Sequence, residues 1–321
     1  MKRLSFLLAL LVCGQAYVAF GQPYPNKPIR LVVPFPAGES IDGVARLLVQ
    51  HWQTALGQQI LVDNRGGAGG TIGTDIVAKA TADGYTISYG NLGPLSIGPN
   101  LYKKLGYDLF LDLAPVSQAA NLPFVLFASP SLPANSVAEL VAYAKSHSGE
   151  LNFGSTGVGS GLHLIGEMFK MTAGIDMVHV PYKGVAQALP EIMAGRLQLA
   201  FNTIPAFLPH VKAGRLKAFV ITAHKRSPLL PQVPACDEVG MPRLDASAWH
   251  GVVAPAGTPQ EAVRKLHQTL AKTLALPEVR EQLAAQGAEP VGSSPDEFGK
   301  FLRTESAKWA GVIKHANVKA E

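Results

Sequence analysis

The chain has 321 residues, a formal net charge of +5 and only 16% charged residues. The positive charge is spread thinly, and no run of lysine and arginine indicates a nucleic-acid partner. We therefore expect no nucleic-acid partner. The length suffices for two domains with cores of their own, so we expect a globular protein.

The first 21 residues have the three parts of an export signal. Lys2 and Arg3 precede an apolar run over 4–12, and small residues end at Gly21, after which we expect cleavage. The run is shorter than the roughly 20 apolar residues that a membrane span needs. Cleavage removes both basic residues, which lowers the formal charge from +5 to +3, and leaves Cys236 as the single thiol. We therefore expect a soluble exported protein without disulfides that depends on its core.

Short apolar runs alternate with segments of helical periodicity along most of the chain. The predicted strands span 29–33, 60–62, 86–89, 124–128, 151–153, 177–180, 197–201 and 218–222. The predicted helices span 41–56, 71–80, 136–147, 161–173, 185–194, 206–213, 259–275, 277–286 and 295–315. This alternation predicts an α/β fold of parallel sheets covered by helices, whose ligands bind beyond the carboxyl ends of the strands. We interpret 124–128 and 218–222 as crossovers between two lobes.

Residues 34–42, Pro-Phe-Pro-Ala-Gly-Glu-Ser-Ile-Asp, form a glycine-containing turn between the first predicted strand and helix. Backbone N–H groups at a helix start lack intrahelical partners, and the helix dipole adds positive charge, so the turn predicts a site for a carboxylate or phosphate. A glycine that merely closes the turn is the alternative. Asp42 can equally complement the dipole or contact a ligand. The candidate ligand-binding residues here are Phe35, Ala37, Gly38, Ser40 and Asp42.

Residues 154–161, Gly-Ser-Thr-Gly-Val-Gly-Ser-Gly, form a second such turn between a predicted strand and helix. Its hydroxyls and N–H groups can bind a carboxylate, although Ser and Thr are also preferred helix caps. The candidate ligand-binding residues here are Ser155, Thr156, Gly157, Gly159, Ser160 and His163. Because both turns stand at the carboxyl ends of predicted strands, two sheets can present them to one cleft.

His163 stands three residues after Ser160, which leaves open an exported hydrolase that uses this pair. The chain has no G-x-S-x-G elbow around Ser160, and no third member of a triad can be named, so we prefer a His163 that is hydrogen-bonded within its lobe. The histidines at 179, 210 and 250 lack the i,i+4 pairing that is typical of zinc sites. We therefore predict no catalytic residue, no metal and no cofactor.

Three further residues are candidates for ligand contact. Asn91 follows a predicted strand and offers a polar side chain from the first lobe. Tyr182 lies where an aromatic ring can cover a ligand, with core packing as the alternative. Lys183 is the cation best placed to sense an anion, with a solvated loop lysine as the alternative.

Ordered motifs along nearly the whole mature chain resemble the Bug family, the periplasmic receptors of tripartite tricarboxylate transporters. They are Tyr-Pro-Asn-Lys-Pro-Ile-Arg at 24–30, the turn at 34–42, Asp-Asn-Arg-Gly-Gly-Ala-Gly-Gly-Thr-Ile-Gly at 63–73, Asp-Gly-Tyr-Thr at 83–86, Gly-Ser-Thr-Gly at 154–157, His-Val-Pro-Tyr-Lys-Gly at 179–184, Trp-His-Gly at 249–251 and Ala-Pro-Ala-Gly-Thr-Pro at 254–259. The resemblance implies a two-lobed, type II Venus flytrap fold. Each lobe would be a mainly parallel sheet flanked by helices and would supply one turn to a carboxylate pincer. We place lobe 1 at 22–126 and 223–321, and lobe 2 at 127–222.

The resemblance also implies a function. We expect a monomeric periplasmic receptor, without enzymatic activity, that captures a small organic carboxylate and delivers it through transient contact with membrane permease subunits. Dicarboxylates, tricarboxylates, acidic amino acids and aromatic acids are all within the range of the family. A ligand sensor for a membrane kinase is a further alternative.

Two positions depart from the family pattern. Glu39 stands where the family usually has a second glycine, and Gly66 stands where it usually has a proline. We expect the Glu39 side chain to point to solvent, because a carboxylate near a helix N-terminus is favourable. If it pointed inward, it would repel a second carboxylate on a ligand.

Overall fold

The computed structural model describes residues 23–319, so the predicted signal peptide, 1–21, lies outside the described residues. The strands are β1 (Ile29–Val33), β2 (Ile60–Asn64), β3 (Thr86–Asn91), β4 (Leu113–Asn121), β5 (Phe124–Ala128), β6 (Asn152–Ser155), β7 (Val178–Pro181), β8 (Leu199–Thr203), β9 (Lys217–Ile221), β10 (His250–Pro255) and β11 (Glu289–Pro290). The α-helices are α1 (Ser40–Leu56), α2 (Thr71–Ala78), α3 (Gly98–Leu101), α4 (Val137–Ser146), α5 (Gly161–Ala173), α6 (Val185–Met193), α7 (Ile204–Lys212), α8 (Gln260–Ala275), α9 (Pro277–Ala285) and α10 (Pro295–His315).

The strands form two mixed sheets with helices packed against them, which confirms the α/β class. The order is β11-β4-β10-β3-β1-β2 in the first sheet and β7-β6-β8-β5-β9 in the second. Parallel pairing joins β1 to β2 and β3, and β6 to β7 and β8. The other pairs are antiparallel. The parallel character is thus confined to strands that are followed by helical crossovers, as parallel pairing requires.

The chain passes between the sheets twice. It leaves β4 at Asn121 and enters β5 at Phe124, whereas we predicted the lobe boundary at 126–127. It returns through 222–249, between β9 and β10. The two segments interpreted as crossovers, β5 and β9, pair with each other inside the second sheet. Every residue of β5 is buried, which explains why its sequence reads as a continuous apolar run.

Strands β4, β10 and β11 were not predicted. Strand β10 is buried along its whole length between β3 and β4, yet its sequence HGVVAP contains glycine and proline, which are depleted in strands. A Cβ atom on Gly251 would lie 2.2 Å from the ring of Phe298, so this position needs glycine for close packing. Strand β4 contains the polar residues Ser117 and Gln118, whose hydrogen bonds run to Ser293. Partners distant in sequence therefore define both strands.

Helix α1 buries the face that its periodicity predicted. The residues of that face are Ile41, Val44, Ala45, Leu48, Trp52 and Leu56, and all are buried. The Trp52 indole N–H donates to Thr269 Oγ1 on α8 at 2.9 Å, which satisfies the one polar atom of a large buried side chain. Helix α1 ends at Leu56, and Gly57 caps it with a φ of 72°, the left-handed conformation that glycine adopts readily.

Within residues 23–319, no helix combines the length and the apolar character that crossing a membrane would require.

Candidate ligand-binding site

A cleft of about 690 Å³ lies where the carboxyl ends of parallel strands from both sheets meet. The first sheet contributes Phe35, Ser40 and Asn91 to its lining, and the second contributes Thr156 and Lys183. Open α/β sheets bind their ligands at this edge. The structure therefore brings the two predicted turns to one cavity.

Several helices begin at this cleft. Helices α1, α2, α5, α6 and α7 each begin at, or directly after, a residue that lines it. The N–H groups of Ser40, Ile41 and Asp42 on α1 have no acceptor among residues 23–319. The same holds for Gly161 and Leu162 on α5, within the described chain. Unpaired N–H groups and the positive ends of helix dipoles thus converge from both lobes, an arrangement that favours an anionic group.

Asp42 stabilises the first turn from inside. Its carboxylate accepts hydrogen bonds from the Gly38 N–H and the Asn64 Nδ2, each at 2.9 Å, and from Arg46 Nε. Burial acts to raise the Asp42 pKa, but the hydrogen bonds from Arg46, Gly38 and Asn64 outweigh it and hold the pKa below its ordinary value. Asp42 and Gly38 do not line the cleft, and neither does Ala37. The Gly38 N–H, which we predicted as a donor to the ligand, therefore donates to Asp42 instead. Phe35 and Ser40 of the same turn line the cleft.

Ser155 has a similar internal role in the second turn. Its hydroxyl accepts from the Gly157 N–H at 3.1 Å, lies 3.1 Å from the Gly157 carbonyl, and lies 2.6 Å from His179 Nε2. A hydroxyl has one proton, so all three contacts are satisfied when His179 Nε2 donates and Ser155 donates to the carbonyl. Ser155 is 3% exposed, and it does not line the cleft, nor does Gly157. Thr156, Gly159 and Ser160 do line it.

His163 lies beneath the second turn. Its Nδ1 accepts from the Gly159 N–H at 3.1 Å, and its ring stacks on His179 at 3.8 Å between centroids. Burial lowers the His163 pKa to about 4, with further contributions from His179 and Lys170. Burial likewise lowers the His179 pKa to about 4. Both rings are therefore neutral at pH 7, and His163 does not line the cleft.

The hydrogen bonds of Ser160 argue against a catalytic serine. Ser160 Oγ accepts from the His163 backbone N–H at 3.2 Å and caps α5, while the His163 ring bonds to Gly159 instead. A nucleophile requires a ring nitrogen of the base within hydrogen-bond reach of the hydroxyl. In this geometry Ser160 caps α5, and the His163 ring is hydrogen-bonded within its own lobe, as we preferred from the sequence.

The charged groups at the cleft are Glu39 from the first turn and Lys183 from the second lobe, among the described residues that line it. We expected Glu39 to face solvent, and it is exposed, but it lines the cleft as well. Burial raises the Glu39 pKa above its ordinary value. Tyr182 does not line the cleft, since its ring packs over Gly154.

Several lining residues were missed from sequence. Among them are Gly69, Gly70, Leu92, Gly93, Leu101, Phe124, Val185 and Thr203. A Cβ atom on Gly159 would lie 2.3 Å from Leu101 Cδ2, so the second turn approaches the first lobe closely at this point. Extending the carboxyl-end rule to every strand would have found Leu92 and Thr203, which lie at the ends of β3 and β8. Phe124 and Leu101 carry no such local signal.

Between residues 23 and 319, one group of side chains has potential metal-ligand atoms within 4.8 Å of one another, namely His224, Cys236 and Asp237. His224 Nδ1 lies 3.0 Å from Asp237, and its Nε2 lies 3.5 Å from Asp245. The hydrogen bond to Asp237 and the charge of Asp245 raise the His224 pKa. Two carboxylates thus lie beside the His224 ring, and both favour its protonated form.

The chain is similar to known proteins along most of its length. The family model for the receptor of the tripartite tricarboxylate transporter family matches residues 44–318. Protein BugT of Bordetella pertussis is 37% identical over 322 residues, which cover 99% of each chain.

Two solved structures are also similar along almost their whole length. An R. palustris protein determined with adipate is 37% identical, with a TM-score of 0.80 over 92% of this chain and 99% of its own. MatC from Rhodopseudomonas palustris, with bound malate, is 32% identical, with a TM-score of 0.76 over 90% of this chain and 100% of its own. From the family match, the identity to BugT and the shared fold, we conclude that this chain belongs to the tripartite tricarboxylate transporter receptors, as a Bug-family periplasmic solute-binding receptor.

Proposed function

We propose that this receptor captures a small organic carboxylate and delivers it to the membrane subunits of a tripartite tricarboxylate-type transporter, without breaking a bond. The observation that carries the proposal is that Ser40 on α1 and Gly161 and Leu162 on α5, whose N–H groups have no acceptor in the described chain, line one cleft from two lobes. The adipate and malate bound by the two R. palustris relatives support the same ligand class.

Binding energy would come from donors that the fold has already oriented. Hydrogen bonds to a charged acceptor contribute about 1.5–3 kcal/mol each, more than those between neutral groups. Asn91 adds a further donor, because its Oδ1 accepts from the Gly93 N–H at 3.0 Å and its amide N–H₂ is left for the cleft. Closure of the lobes would exclude water and strengthen these bonds.

The proposed contact residues follow from the lining. They are Phe35, Ser40, Asn91, Thr156, Gly159, Ser160 and Lys183. In this proposal Ala37, Gly38, Asp42, Ser155, Gly157, His163 and Tyr182 shape the two turns and their surroundings rather than touch the ligand.

Thermal unfolding with matched acids and esters tests the proposal. A ligand at 100 times its dissociation constant stabilises the folded protein by about 2.7 kcal/mol, and each kcal/mol raises the midpoint by roughly 2–4 °C for a domain of 150–250 residues. We expect a shift of several degrees from at least one acid in a panel of C4 to C6 dicarboxylates, citrate, acidic amino acids and aromatic acids. The methyl ester of that acid should give none, because it keeps the shape and loses the charge. Equal shifts from acid and ester would contradict the proposal.

A further inference from the structure

The charge in the cleft is divided between the lobes. Glu39 precedes α1 in the first lobe and Lys183 precedes α6 in the second, and both line the cleft. Neither side chain forms an ion pair with another described residue. Each charge is therefore available to a bound molecule.

The Glu39 side chain has no evident structural task. It occupies the N-cap position of α1 but makes no capping hydrogen bond. Glutamate is not among the preferred N-cap residues, whereas Ser136, Ser160 and Ser294 cap their helices with side-chain hydrogen bonds in this chain. The Glu39 carboxylate is favourable near the start of α1, but a serine or aspartate would add the capping hydrogen bond that Glu39 does not make.

The two lobes consequently differ in the charge that they favour in the cleft. On the second lobe, the Gly161 and Leu162 N–H groups and the Lys183 ammonium group all favour an anion. On the first lobe, the N–H groups at the start of α1 stand beside the Glu39 carboxylate, which opposes an anion and favours a cation. Burial raises the Glu39 pKa, as expected for a carboxylate that is partly enclosed by the cleft.

We propose that Glu39 is a specificity-determining residue, which selects carboxylates that carry an ammonium group at the other end and disfavours dicarboxylates. The ligand carboxylate would be held by the free N–H groups of α1 and α5 and by Lys183, and the ammonium group at its other end would face Glu39. This inference rests on the proposed function, because it assumes that a carboxylate occupies the cleft. It extends that function by giving the two ends of the ligand different chemistry.

A series of three six-carbon acids tests the selectivity directly. Adipate, 6-aminohexanoate and hexanoate share one carboxylate and differ at the other end, which is anionic, cationic or neutral. Calorimetric titration gives the dissociation constant of each for the natural sequence and for Glu39→Gln. We expect 6-aminohexanoate to bind at least about tenfold more tightly than adipate, and Glu39→Gln to reduce that ratio to within about threefold. The matched control is Glu261→Gln, since Glu261 is an exposed acid in the first turn of α8, outside the cleft.

The outcomes separate this inference from the function on which it rests. An unchanged ratio in Glu39→Gln, or a preference of the natural sequence for adipate, overturns the selectivity and leaves the carboxylate receptor intact. An equal loss of affinity for all three acids would mean that Glu39 pairs with Lys183 on closure, and this also overturns the selectivity. No binding of any of the three acids, nor of any acid in the wider panel, overturns the proposed function and this inference together. An unfolding midpoint equal to that of the natural sequence shows that Glu39→Gln has folded.

Discussion

Two buried side chains, Ser155 and His163, stabilise the second turn through hydrogen bonds to its backbone. The Ser155 hydroxyl, with one proton and two lone pairs, contacts two groups of Gly157 and the ring of His179. His163 accepts the Gly159 N–H, which requires an unprotonated Nδ1. A neutral His163 is therefore part of the shape of the second turn.

Acid should destabilise the protein through His163. Its folded pKa is about 4, against an ordinary value of 6.5, so the unfolded chain binds the extra proton first. Stability is then lost as the pH falls from about 6.5 towards 4, by on the order of 3 kcal/mol for a shift of this size. His163→Gln keeps an acceptor for Gly159 but does not titrate. We expect its free energy of unfolding, measured in urea from pH 7 to pH 4, to fall less steeply than that of the natural sequence.

The control for this measurement is His315→Gln, because His315 is exposed at the end of α10. Its pH dependence should follow that of the natural sequence. Parallel curves for His163→Gln and the natural sequence would contradict a buried, neutral His163.

At the scale of elements, we expect the backbone N–H groups at the start of α1 to contribute more to ligand binding than the side chain of Ser40. Glu39 is extended, with φ −71° and ψ 160°, and Ser40 is the first helical residue. Proline is well tolerated at the first helical position, and the residue before a proline favours this extended conformation. A proline at 40 can therefore delete one N–H donor from the cleft while it preserves the helix.

Ser40→Pro should weaken binding of the carboxylate by roughly tenfold to a hundredfold, since one hydrogen bond to a charged acceptor contributes about 1.5–3 kcal/mol and each 1.4 kcal/mol is tenfold. Ser40→Ala removes the hydroxyl and keeps the N–H, so it should retain more affinity. Calorimetric titration of the strongest acid in the panel measures both. Gln260→Pro is the matched control, because Gln260 begins α8 after Pro259, whose ψ of 135° is compatible with a following proline, and it lies outside the cleft. Full affinity in Ser40→Pro would remove the α1 N-terminus from the proposed site.

At the scale of the whole molecule, α10 connects the two lobes through its packing. It packs against β4 of the first sheet and against α5 of the second lobe. The buried carboxylate of Glu305 accepts from the indole N–H groups of Trp249 at 2.9 Å and Trp309 at 3.0 Å, and it pairs with Lys308. Two indoles and an ammonium group thus satisfy one buried charge, as burial of a charge requires. This region can serve as the fixed side of a hinge.

Ligand should bring the lobes together around that fixed side. The cleft takes its lining from both lobes, so a ligand that contacts both favours the closed arrangement. We expect the radius of gyration in solution scattering to fall when the strongest acid of the panel is added at saturation. Its methyl ester at the same concentration is the control and should leave the profile unchanged. Identical profiles with and without the acid would argue for a rigid site.

Local sequence determined the elements whose residues alternate or repeat with a regular period. The helical face that contains Trp52, the strand 29–33 and the two glycine-containing turns could all be predicted, because each is encoded within about 20 adjacent residues. The rule that ligands bind at the carboxyl ends of parallel strands then predicted a cleft between the two turns. Four of the candidate residues, Phe35, Ser40, Asn91 and Thr156, line that cleft in the structure.

Tertiary structure alone decided which groups of those turns face the cleft. Asn64 and Arg46 hold Asp42 in place to accept the Gly38 N–H, and His179, 24 residues along the chain from Ser155, turns that hydroxyl inward. Strand β10 likewise exists because β3 and β4 flank it, although its own sequence is short and contains glycine and proline. A local pattern specifies a backbone conformation, but the partner of each polar group depends on which distant residues fill its hydrogen bonds. For this reason the sequence predicted the two turns, while the fold selected the donors that remain free for a ligand.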